Sequence, residues 1–122
     1  MAADAGTTPH DIVRRASEYL RTHPSERPRI RDLSRASGIS ERAFRTAFHR
    51  EHGVSPKQYE IRERLRAARE ALRDVQAGTV TAIASQYGFS ELGRFAGIYK
   101  TMFGESPSET MKAQRRRRVR ST

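Results

Sequence analysis

A chain of 122 residues holds one domain, or two very small ones sharing a core, and excludes a large multi-domain enzyme. Hydrophobic residues at 35% and charged residues at 31% allow only a thin core, no apolar run approaches the roughly 18 residues of a membrane-spanning helix, and the absence of cysteine excludes disulfides, thiolate metal sites and cysteine nucleophiles. The 24 basic residues against 14 acidic ones give +10, and 21 of the 24 are Arg, the side chain suited to forked contacts with phosphate and guanine, so a polyanion is the expected partner.

Residues 1–7 are small, polar and aperiodic and read as a disordered leader without the features of a secretory signal, so the chain is expected in the cytoplasm. Thr8-Pro9-His10-Asp11 then offers an N-cap hydroxyl, a proline at the first helical position and a carboxylate at the third. Ile12, Val13, Ala16, Tyr19 and Leu20 follow at helical spacing, which predicts a first helix ending before Pro24. Ile30, Leu33 and Ala36 mark a short second helix closed by Gly38, and Ser40 caps a third. In that third helix Ala43, Phe44, Ala47 and Phe48 share one side; Arg42, Arg45, Thr46, His49 and Arg50 share the other.

After Gly53, the box Ser55-Pro56-Lys57-Gln58 opens a long helix expected to reach about Ala77, with Ile61, Leu65, Ala68, Leu72 and Val75 as its buried stripe. Uninterrupted by glycine or proline, it predicts a spacer rod of about 30 Å. The pattern then recurs. Gly38-Ile39-Ser40-Glu41 returns as Gly88-Phe89-Ser90-Glu91, Gly53-Val54-Ser55-Pro56 returns as Gly104-Glu105-Ser106-Pro107, and Ile30, Leu33 and Ser34 match Val80, Ile83 and Ala84. This places a fifth helix near Thr81–Tyr87, a sixth near Ser90–Phe103, and a last one opened by the box Ser106-Pro107-Ser108-Glu109. The fold class is all-α: seven helices in two helix-turn-helix subdomains joined by a long linker helix. The expected division is a leader at 1–7, a first subdomain at 8–54, the linker at 55–77, a second subdomain at 78–114 and a basic disordered tail at 115–122. Half of the net charge lies in that tail, on Arg115, Arg116, Arg117, Arg118 and Arg120.

A short helix, a glycine turn and an amphipathic helix with a polar outer face is the sequence form of a unit whose second helix enters the major groove of DNA. One copy is a weak signal; two on a basic chain are much stronger. Successive major-groove faces on one side of the duplex lie about 34 Å apart, close to the length expected for the rod, so one monomer has the reach to read two adjacent turns. Phe44, Phe48, Phe95, Tyr99 and Phe103 follow core spacing rather than that of a base-stacking platform. Arg64 and Arg69, set among Glu60, Glu63 and Glu70, read as surface pairing or a hydrogen bond holding the halves together rather than as DNA contacts. His49 and His52 beside Gly53 lack the further ligands that a metal site needs.

Leu33-Ser34, Gly38, Ser40, Phe44, Phe48, Gly53, Ser55-Pro56, Tyr59, Arg64-Leu65 and Ala68-Arg69 carry a resemblance that continues through Ile83-Ala84, Gly88-Phe89, Phe95, Lys100, Gly104 and Pro107. From about residue 10 to 112 the chain resembles the AraC/XylS transcription regulators. The resemblance implies a seven-helix DNA-binding domain regulating promoter activity, with double-stranded promoter DNA as partner, RNA polymerase brought into reach, and no cofactor, metal or catalytic residue. Relatives commonly add an effector or dimerisation domain, and none is expected within this chain, which reads as a monomer associated with the nucleoid. Carried over residue by residue, the base-reading positions are Arg42, Arg45 and Thr46 in the first unit and Gly93, Arg94 and Gly97 in the second. Phosphate contacts are expected at Ser40, Arg50, Ser90, Lys100, Thr101, Arg115, Arg116, Arg117 and Arg118. Because Gly93 and Gly97 offer no side chain, the first unit is expected to specify sequence and the second mostly to position the domain. A nonspecific compaction or RNA-binding module is the competing reading.

Overall fold

The computed structural model describes residues 8–74, 76 and 78–121. Among them the helices are α1 (Pro9–Thr22), α2 (Ile30–Ser37), α3 (Glu41–His52), α4 (Pro56–Leu72), α5 (Val80–Gln86), α6 (Leu92–Phe103) and α7 (Pro107–Ser121), with no strand. The all-α class with seven helices is as expected, while the leader at 1–7 lies outside the described residues. The chain divides into two compact units, Met1–Glu63 and Arg64–Thr122, so that α4 starts in one and ends in the other.

In the first unit Ile12, Val13, Ala16 and Leu20 of α1 bury against Phe44, Ala47 and Phe48 of α3, with Ile30, Leu33, Ile39 and Tyr59 packed around them. Thr8 caps α1 through the reciprocal bonds with Asp11 that the sequence indicated. Two expected stripe positions differ. Tyr19 is exposed, stacked on His23 with its hydroxyl given to Glu26, because a polar tip that finds a partner outside need not enter the core. Ala43 is also exposed, lying in the first turn of α3 at the edge of its buried face. Ser17 is buried instead. It donates to the Val13 carbonyl at 2.7 Å and so accepts from Nε2 of His52, also at 2.7 Å, fastening the last turn of α3 to α1.

Gly38 ends α2 at φ 74°, in the left-handed region where a Cβ is strained, and its counterpart Gly88 takes φ 81° in the second unit. The repeated glycine is therefore the repeated turn. In the second unit Leu65, Ala68, Leu72, Ile83, Ala84, Phe95, Tyr99 and Met111 are buried. The Thr110 hydroxyl gives its proton to Glu105, which leaves Tyr99 to donate to Thr110 at 2.7 Å; burial raises the Tyr99 phenol above its ordinary range.

Three boundaries depart from the sequence reading. The linker helix stops at Leu72 rather than near Ala77, giving about 25 Å at 1.5 Å per residue. The Arg73 amide already splits between the Arg69 and Glu70 carbonyls, and the Asp74 carboxylate accepts the amide of Gln76, a side-chain turn that competes with further helix. Of the expected stripe, Leu65, Ala68 and Leu72 are buried, Ile61 is half-buried, and Val75 lies outside the described residues. Helix α6 starts at Leu92 with Glu91 as N-cap, one residue later than Ser90 would set by analogy with Ser40. Last, the tail expected to be disordered from 115 continues α7 to Ser121; Pro107, Thr110 and Met111 anchor the helix, and arginine is a good helix former that lets it run on.

Candidate nucleic-acid interface

The outer face of α3 follows from the same periodicity that buries Phe44, Ala47 and Phe48. Arg42, Arg45, Thr46, His49 and Arg50 are all exposed on it. Its first turn is fixed by Ser40, whose hydroxyl accepts the Ala43 amide at 3.1 Å. Arg45 donates to Glu41 one turn earlier at 3.0 Å, with both side chains well exposed, so the pair aligns the guanidinium along the helix and is weak enough to yield to a better acceptor. Arg42 lies three residues before it, one turn away, so two forks project from the N-terminal half of this helix.

The outer face of α6 differs. Gly93, Arg94, Gly97, Lys100 and Thr101 are exposed, and a Cβ built on either glycine meets nothing within 4 Å. Neither glycine is required by packing inside the chain, and neither has a positive φ. Lys100 and Arg94 supply the charge, whereas the Thr101 hydroxyl spends its proton on the Gly97 carbonyl at 3.0 Å, leaving it an acceptor rather than a donor toward phosphate. Ser90 is exposed ahead of the helix, without the capping role of Ser40. Arg115, Arg116, Arg117 and Arg118 are exposed on α7.

Two arginines of the same chemistry and one exposed leucine escape the sequence reading. Arg31 and Arg35, one turn apart, are exposed on α2, the first helix of the first helix-turn-helix pair. Their four-residue spacing in a short helix was the available signal. Leu92, at 43% exposure, opens α6 as one of few exposed large apolar side chains, and nothing in its helical position foretold that exposure. Among the described residues no three His, Cys, Asp or Glu side chains are grouped to hold a metal ion, and no helix is long and apolar enough to cross a membrane.

The helix-turn-helix domain family matches residues 33–113, which include both units' turns and outward helices. The chain is 38% identical over 103 residues to the probable thc operon regulatory protein of Rhodococcus erythropolis, covering 83% of this chain and 31% of that protein. It is 32% identical over 100 residues to the XylDLEGF operon transcriptional activator of Pseudomonas putida, covering 80% of this chain and 31% of that protein. The chain thus spans about a third of the length of these relatives. Among solved structures, a probable AraC family transcriptional regulator from Rhodopseudomonas palustris CGA009 superposes with a TM-score of 0.80 at 41% identity, covering 85% of this chain and 97% of that one. An AraC-type regulator from Chromobacterium violaceum reaches 0.79 at 24% identity and shares the fold.

Proposed function

The chain belongs to the AraC/XylS family of helix-turn-helix transcription regulators, and from that membership we propose that it binds promoter DNA through α3 and α6, each laid in a major-groove segment. The observation that carries this reading is the α3 face, where Arg42, Arg45 and Thr46 stand exposed together over a helix locked by Phe44 and Phe48. Arg42 and Arg45 fork onto guanine O6 and N7, and Thr46 meets a thymine methyl or a hydrogen-bonding base edge. Arg50, Arg31 and Arg35 take phosphates beside it.

The second unit reads less and holds more. Arg94 is its main base contact, Gly93 and Gly97 bring helix backbone against the groove, and Lys100, the amides near Ser90 and the acceptor oxygen of Thr101 fix the register through phosphate and its bridging waters. Arg115, Arg116, Arg117 and Arg118 add sequence-independent attraction. With two units on one chain the domain acts as a monomer on two adjacent groove segments, and promoter occupancy brings it beside RNA polymerase. The linker falls short of the length first expected of it, so the two-groove reading rests on the duplicated units rather than on the rod.

The test is selection from random duplexes, followed by titration of the selected and a scrambled duplex across salt concentrations. A regulator of this kind retains a preference of about a thousandfold or more. Equal affinity for both duplexes identifies a nonspecific nucleic-acid binder instead.

A further inference from the structure

The two units enter their outward helices by different means. In the first, Ser40 caps α3 with its own hydroxyl. In the second, α6 begins at Leu92 and its N-cap Glu91 makes no side-chain cap, although the same glycine turn precedes it. What holds that turn is a residue from another helix. Arg64 of α4 is 5% exposed, and its Nη1 donates to the carbonyls of Tyr87 at 3.2 Å and Gly88 at 3.3 Å. Its guanidinium lies 4.6 Å from the centre of the Phe89 ring, and Phe89 in turn packs on Phe95, the first buried residue of α6, at 4.9 Å.

We propose that Arg64 is a positioning residue for DNA recognition, a buried latch that sets where α6 starts and how it is presented. The physical case is that the carbonyls of Tyr87, the C-cap of α5, and of Gly88 next to it accept from a buried cation just past the negative end of that helix. A guanidinium is planar, so the same group donates in its plane and stacks by its face. The carbonyls of Tyr87 and Gly88 hold the donating edge of the group and the Phe89 ring lies against it; the turn that these three residues form is the segment from which α6 departs. Arg69 lies over Phe103 at 4.7 Å, at the far end of α6, so the helix is backed by a stacked arginine at both ends, but only Arg64 also holds the carbonyls of the entering turn. This inference rests on α6 being a DNA-contacting helix, and it assigns to a residue without DNA contact a share in that recognition.

The experiment is hydroxyl-radical footprinting on the selected duplex. The wild-type pattern is split into an α3 segment, weakened in R45A, and an α6 segment, weakened in R94A. R64M is expected to lose protection of the α6 segment at least about tenfold more than that of the α3 segment. R64K keeps the charge and one carbonyl contact without the stacked plane, and is expected to weaken the α6 segment selectively by a few-fold; it decides the matter if R64M does not fold. Met111→Ala, chosen because Met111 is buried in the same unit on α7, controls for general loss of stability and is expected to keep the ratio of the two segments. The proposal is overturned if both Arg64 variants keep the wild-type ratio, or if Met111→Ala shifts it as far as they do. A wild-type chain that selects no duplex refutes the DNA reading itself, before the Arg64 variants are compared.

Discussion

Gly97 is exposed in the middle of α6, and a Cβ there meets open space. A glycine at such a site costs a helix about 1 kcal/mol relative to alanine. Nothing within the chain repays that cost, so its use is expected in the complex, where a bare backbone approaches a base edge that even a methyl group would hold off. Gly97→Ala is therefore expected to act in opposite directions: the thermal midpoint rises by several degrees, while affinity for the selected duplex falls at least tenfold. A stabilised variant with unchanged affinity shows that this face stays clear of DNA. Arg45→Ala is the complementary case. Its ion pair with Glu41 is exposed and contributes little to folding, so denaturation should be almost unchanged while discrimination at one base position falls by about 1 to 3 kcal/mol, read from binding to single-base variants of the site.

At the scale of the element, what was legible in the sequence is what local chemistry decides. The three boxes at Thr8, Ser55 and Ser106 all form, because the hydroxyl and the acceptor three residues later each need only the other residue's backbone amide. The α3 face was legible for the same reason, since period alone separates Phe44 and Phe48 from Arg42 and Arg45. What was not legible depends on partners distant in sequence. Arg64 reads in sequence as surface pairing among the glutamates of α4 or as a hydrogen bond holding the halves together, yet it is buried against a turn more than twenty residues on, within the second unit. The early stop of α4 is the local exception, since the Asp74 carboxylate takes the Gln76 amide two residues on where the sequence showed neither glycine nor proline. The boxes also predict a pH effect. The amides and hydroxyls of Thr8 and Ser106 hold Asp11 and Glu109 below the ordinary carboxylate range. Carboxylates with lowered folded values stabilise the fold fully above about pH 5, and that contribution is lost as pH falls through the lowered values. Gln58 plays the role of Glu109 without a titrating group. Glu109→Gln should therefore keep the cap but lose the charge's small share of neutral stability, and make the loss below pH 5 shallower in urea denaturation; an unchanged acid limb rules out this source.

At the scale of the whole molecule, charge is divided between specifying and attracting. The arginines of α3 sit on a face fixed by a core, so their positions carry sequence information, whereas Arg115, Arg116, Arg117 and Arg118 occupy four successive positions of α7 and so point around most of its circumference. A ring of charge cannot match one base pattern, but it attracts phosphate from any side. Because this segment is helical, deleting it would remove helix and charge together, and changing all four to glutamine, also a good helix former, isolates the charge. That variant is expected to fold as the wild type and to bind selected and scrambled duplexes more weakly by a similar factor. The slope of log affinity against log salt should become shallower by up to about 3.6, about 0.9 for each phosphate that is no longer neutralised. The preference for the selected duplex should then survive at any one salt concentration, since both affinities fall together. A preference that collapses with these arginines would place sequence reading on α7 and require it to enter a groove, an outcome that the parallel titrations separate from simple loss of affinity.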